Sequence, residues 1–141
     1  MSYLLDTNVV SELRKPRARA DRAVRAWVGA REASDLYLSA VTILELEVGI
    51  ARLSRRDAAQ AARLTLWLED EVLDVFSGRI MAIGVAEVRR AAWLHVPDPR
   101  LERDALIAAT AAVHGLTIVT RNVSDFIPMG VPLINPWSYA T

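Results

Sequence analysis

Four carboxylates fall at positions from which they could act together. Asp6 ends the apolar run "YLL" (3 to 5), Glu45 lies inside "VTILELEVGI" (41 to 50), Asp104 opens "DALIAATAA", and Asp125 follows "TIVTRNVS" (117 to 124). Each also has an ordinary structural reading. Asp, Thr and Asn are favoured N-caps, so Asp6, Thr7 or Asn8 serves equally to start a helix. Glu45 reads as a snorkelling surface side chain, Asp104 as an acid near the positive end of a helix dipole, and Asn122 with Asp125 as turn chemistry. The set says more than its members. Carboxylates brought to one edge of a sheet repel one another, and burying them uncompensated shifts their pKa values or costs stability. A divalent cation removes that conflict. Oxygen-only ligation suits Mg²⁺ or Mn²⁺, which keep several waters and take a phosphate oxygen beside the carboxylates. One or two such ions activate a water for in-line attack on a phosphodiester and stabilise the leaving oxygen. The chemistry indicated is that of a metal-dependent nuclease.

For that chemistry to exist, the fold must bring the four acids to one place. Short apolar runs alternate with helical patterns: strands at 3 to 6, 36 to 39, 79 to 83, 116 to 120 and 132 to 135, and helices at 9 to 14, 20 to 31, 41 to 53, 55 to 76, 85 to 95 and 103 to 115. The strands lack period-two alternation, which marks a parallel sheet covered on both faces. The reading is an α/β three-layer α/β/α sandwich with a central, mainly parallel sheet. In such folds ligands bind beyond the carboxyl ends of the strands, where Asp6 stands. On the helix after the second strand, Glu45 shares a stripe with Val41, Thr42, Val48 and Gly49, while Glu47 points elsewhere; a shifted register would exchange the two acids. Asp104 shares a stripe with Ile107, Ala108 and Ala111.

The totals set bounds. The 141 residues, 52% of them apolar, suffice for one domain spanning 1 to 141 with a real core. There is no cysteine, which excludes a disulfide framework and a zinc–thiolate centre. No basic segment precedes an apolar one at the N-terminus, and charges interrupt every apolar run before the roughly 20 residues of a membrane span. The expected location is the cytoplasm. Cations and anions balance at 17 each, so adhesion to nucleic acid by bulk charge is excluded. Locally the balance breaks: Arg14, Lys15, Arg17, Arg19, Arg22 and Arg25 stand against the single acid Asp21. This cluster reads either as a solvated helix face or as phosphate contacts.

The stretches "LLDTNVVSEL" (4 to 13), "LSAVTILELEVGI" (38 to 50), "DALIAATAAVHGLTIVTRN" (104 to 122) and "DF" (125 and 126), in that order, resemble a PIN domain. Within that group they are similar to the VapC and FitB-like toxins of bacterial toxin–antitoxin pairs. The resemblance implies that Asp6, Glu45, Asp104 and Asp125 hold Mg²⁺ or Mn²⁺ and carry catalysis, with Asn8 and Thr120 orienting the carboxylates. It implies an endoribonuclease, usually a homodimer, silenced by a cognate antitoxin that carries its own DNA-binding domain and lays its tail in the active-site groove. The cations at 14 to 25 would then contact RNA or acidic residues of the antitoxin.

Other residues carry blander readings. Asp98, between two prolines, is a turn residue, and His95 and His114 sit at helix ends, so no histidine base is implied. Trp27, Trp67, Trp93 and Trp137 read as core or interface, with base stacking as the other option. Two competing functions are a phosphoryl hydrolase of another kind and a non-catalytic partner-binding module on the same fold. A covalent aspartyl phosphatase of the haloacid-dehalogenase type needs a second Asp two residues after the first, where this chain has Asn8. A binding module would lack a motif acid, and all four are present.

Overall fold

The computed structural model describes residues 1–140. Its centre is a five-stranded sheet in the order β3-β2-β1-β4-β5, from β1 (Tyr3–Leu5), β2 (Leu36–Ser39), β3 (Ile80–Met81), β4 (Thr117–Val119) and β5 (Leu133–Ile134). Every pairing is parallel. Helices α1 (Thr7–Arg14), α2 (Arg22–Gly29), α3 (Ala40–Ser54), α4 (Ala58–Trp67), α5 (Val85–Leu94), α6 (Glu102–His114) and α7 (Val123–Phe126) supply the crossovers and cover the sheet.

Strand pleating divides the core in two. Tyr3, Leu5, Leu36, Leu38 and Val119 point to one face and pack with Val9, Val24, Trp27 and Leu68. Leu4 and Ile118 point to the other and meet the alanine-rich α6, Ala91 and Phe126. The sheet is buried on both sides, which is why its strands are continuously apolar. Phe126 is among the largest fully buried side chains. Phe126→Ala is therefore expected to lower stability by about 3–5 kcal/mol in urea titrations.

The 55–76 segment differs from a single long helix. Helix α3 runs on to Ser54, and Asp57 caps α4 instead of lying inside it, its Oδ1 accepting from the Gln60 N–H at 3.0 Å. Beyond Trp67 the chain continues as a π-helical turn, Leu68–Leu73. The apolar positions Leu64, Leu68 and Val72 explain it. A spacing of four residues drifts by about 40° per step on an α-helix, and wider winding keeps Leu68 and Val72, both buried, on the core side. Helix α1 begins at Thr7, two residues before the expected start, because Asp6 caps it. The strand expected at 79–83 shrinks to Ile80–Met81 at the sheet edge. Gly115 ends α6, at φ +67°, a conformation that glycine adopts without a Cβ penalty.

Candidate active site at the carboxyl edge of the sheet

Register assembles the centre of the site. Leu5 pairs with Val119, so one step further Asp6 and Thr120 lie side by side where β1 and β4 end. Thr120 Oγ1 donates to Asp6 Oδ2 at 2.7 Å. Asn8 Nδ2 donates to the same Oδ2 at 3.3 Å and to Thr120 Oγ1 at 3.2 Å. The Arg121 N–H donates to Asn8 Oδ1 at 3.2 Å, and the Asn122 N–H donates to Thr120 Oγ1 at 3.0 Å. On its other oxygen Asp6 accepts the Thr7 N–H at 2.8 Å, the capping bond that starts α1. Asp6 thus caps α1 while its other oxygen faces Thr120 and Asn8, and its rotamer is held from both sides.

Glu45 enters through threonine. Thr7 Oγ1 donates to Glu45 Oε1 at 2.7 Å and lies 3.0 Å from Thr42 Oγ1. A hydroxyl has one proton, so with Thr7 committed to the carboxylate, Thr42 donates in the second contact. Thr42 and Glu45 share the predicted α3 stripe, whereas Glu47 is exposed. Glu45 is half-buried, not enclosed, for its neighbour Leu44 is 50% exposed. Its Oε2 faces Arg103 Nη1 at 3.9 Å, a surface ion pair of little energetic weight.

Asp6, Glu45 and Asp104 line one cleft of about 460 Å³, with Thr7, Asn8, Ser11, Glu12, Arg14, Lys15, Arg121, Asn122 and Trp137. Asp125 is exposed and lines an adjoining depression that shares Asp104. Two of the acids, Asp6 and Asp104, feel their neighbours. Burial raises the Asp6 pKa, the hydrogen bonds from Thr120 and Thr7 pull it back, and Glu45 and Asp125 push it up again. Asp104 is pushed up to about 6, by desolvation first and then by Asp6, Asp125 and Glu45. Burial first, and like charges gathered beside it second, produce that pattern. Among the described residues, no three His, Asp or Glu side chains close on a common metal-holding geometry. The donor set nonetheless fits a hard divalent cation: four carboxylates, no thiol, no imidazole.

Some residues of the cleft escaped sequence reasoning. Glu12 is buried, accepts from Lys15 Nζ at 2.9 Å and from the Asp21 N–H at 2.9 Å, and so ties the basic turn to the cleft wall. Lys15 chiefly holds its pKa below the ordinary value. The bonds joining Thr7 to Glu45 and Thr42, and the places of Arg121 and Trp137 in the cleft wall, are not legible in the sequence, because they depend on packing across the sheet edge. Of the basic cluster, Arg14 and Lys15 reach the cleft, while Arg17 and Arg25 line a neighbouring hollow with Trp67. The histidines stay out of both. His95 Nδ1 accepts the Arg100 N–H at 3.0 Å and Nε2 meets Glu102 at 3.1 Å, and His114 faces Glu87 at 3.7 Å. Asp98 is exposed in a loop. Trp27 is core at 3% exposure, but Trp93, at 76%, is not.

Comparison with known proteins gives the family. The chain is 40% identical over 145 residues to VapC ribonuclease Y4jK of Sinorhizobium fredii, covering 97% of this chain and 99% of the relative. It is 37% identical over 140 residues to Toxin FitB of Neisseria gonorrhoeae, covering 95% and 97%. The structure of FitAB bound to an IR36 DNA fragment superposes with a TM-score of 0.87 at 31% identity, over 99% of this chain and 98% of that one. The PIN domain family model matches residues 3–126, a span that contains all four acids, and the chain belongs to the PIN-domain family.

Proposed function

We propose that this protein is the toxin of a toxin–antitoxin pair, a divalent-metal-dependent endoribonuclease that hydrolyses RNA phosphodiester bonds to arrest growth and is neutralised by a cognate antitoxin. The gathering of Asp6, Glu45, Asp104 and Asp125 at the carboxyl edge of the sheet, with two raised pKa values, carries the reading. Asp6, Glu45 and Asp104 would hold Mg²⁺ or Mn²⁺, with Asp125 reaching it from the adjoining wall. When bound, the ion supplies a hydroxide nucleophile at neutral pH and charge stabilisation at the phosphorus. The chain's own part is placement. Thr120, Asn8 and the Thr7 N–H lock Asp6, Thr7 Oγ1 holds Glu45, and Arg14 and Lys15 offset the repulsion between an acidic cleft and an RNA strand.

The relatives' names support the activity, and the DNA-bound FitAB assembly supports a partner that brings its own DNA-binding domain. The exposed apolar residues Val85, Val88, Trp93 and Val96 offer a surface for a homodimer. Among the described residues, no helix is long and apolar enough to cross a membrane.

Incubating the antitoxin-free protein with total cellular RNA in Mg²⁺, Mn²⁺ or EDTA, and sequencing the new ends, tests the function. Discrete cuts that require metal are expected. Intact RNA in the presence of folded, metal-bound protein would overturn it. A milder lesion probes the support beneath Asp6. Thr120→Val removes the shortest bond to that carboxylate, so Mn²⁺ affinity and cleavage are expected to fall about 10–100-fold with the fold retained, as calorimetry and gel assays would show.

A further inference from the structure

The cations of the 14–25 cluster reach the cleft only through Arg14 and Lys15. A third cation lines it from a different element. Arg121 follows β4, and its backbone N–H is tied to Asn8, the amide that braces Asp6. Its guanidinium carbon lies 5.2 Å from the ring centroid of Trp137. Arg121 is exposed, and among the described residues its side chain makes neither an ion pair nor a hydrogen bond. The acid near enough to feel it, Glu12, is already engaged by Lys15 and the Asp21 N–H.

Trp137 is anchored. Asn135 Oδ1 accepts its backbone N–H at 3.0 Å, Pro136 beside it is buried, and its side chain packs against the core on the α2 side. It also lies outside the 3–126 span matched by the PIN domain model. A guanidinium held over an indole face by a cation–π contact keeps its fork of N–H donors free for two phosphate oxygens. That contact also restricts a side chain that otherwise loses much rotamer freedom on binding.

We propose that Arg121 is a phosphate-binding residue of the cleft and that Trp137 positions it, so that the segment after residue 126 completes the RNA site. The inference rests on the nuclease reading and deepens it. Phosphodiester is the fitting ligand because Arg121, Arg14 and Lys15 border one acidic cleft, where a strand needs cations at its backbone and a metal at the scissile bond.

The test is fluorescence anisotropy of a labelled, mixed-sequence single-stranded RNA across a KCl series in EDTA, which prevents cleavage, with steady-state cleavage in Mn²⁺ alongside. Arg121→Ala is expected to weaken binding roughly tenfold and to reduce the slope of log K against log salt by about 0.7. KM should rise with kcat nearly unchanged. Arg121→Lys should keep the slope and recover only part of the affinity. Trp137→Leu should weaken binding severalfold in the parent and not at all in the Arg121→Ala background. Unchanged affinity and slope in Arg121→Ala, or an equal Trp137→Leu effect in both backgrounds, overturns the proposal. RNA bound through Arg121 yet never cut supports it while refuting the nuclease reading. Normal cutting by Arg121→Ala at unchanged KM refutes the proposal alone.

Discussion

Asp6→Asn is expected to reduce RNA cleavage about a thousandfold or more, because loss of metal charge stabilisation costs several kcal/mol in the transition state. The same substitution is expected to leave the fold intact. Asn is as good an N-cap as Asp, so its side-chain oxygen can still accept the Thr7 N–H that starts α1. The substitution removes a negative charge that Glu45 and Asp125 repel, so the metal-free variant should melt no lower than the parent. Asp104→Asn should behave alike, since Asp104 feels the same neighbours. Circular dichroism melts run beside gel assays of cleavage separate the two roles. An inactive variant with parental melting is the predicted pair; an unfolded one would make the carboxylate a structural cap and remove it from the chemistry.

The second large effect is in pH. The Asp104 carboxyl is pushed up to about 6 in the folded protein from an ordinary 3.8. Between those values the folded state binds more protons than the unfolded one, so metal-free stability falls as pH rises through this window and stays lowered above about 6. Asp6, also raised, adds in the same direction. A divalent cation should reverse the trend, because it binds the deprotonated carboxylates. At a hundredfold excess over its Kd it adds about 2.7 kcal/mol, a rise in Tm of about 5–10 °C for a chain of this size. Thermal melts with Mn²⁺ and with EDTA should therefore nearly coincide at pH 5 and separate widely at pH 7.5. A gap that is constant with pH would mean that the metal does not displace protons from these acids.

Much of this was legible in the sequence because it depends on local pattern. Continuous apolar strands between amphipathic helices specify a covered parallel sheet, and a parallel sheet specifies which edge carries the chemistry. That is how Asp6 could be placed, and how the stripe through Thr42 separated Glu45 from Glu47. The rest needed contacts between distant segments. Thr7 bonds to Glu45, 38 residues away, and Arg121 to Asn8, 113 residues away; neither pairing leaves a periodic trace. The split of the 55–76 helix was hidden for another reason. Asp57 and the four-residue apolar spacing after Leu64 were legible signals, but strong helix propensity on both sides masked them. Asp125 shows the limit of motif order, since it joins the electrostatic cluster while facing an adjoining wall.

The most direct test of the central claim, that these carboxylates form a metal site for phosphodiester hydrolysis, is anomalous diffraction from crystals grown with Mn²⁺ at pH 7.5. The account predicts an anomalous peak in the cleft among Asp6, Glu45 and Asp104, with Asp125 turned toward it, and loss of that peak in Asp6→Asn. Mn²⁺ bound elsewhere, with the cleft acids ordered around water alone, would contradict it.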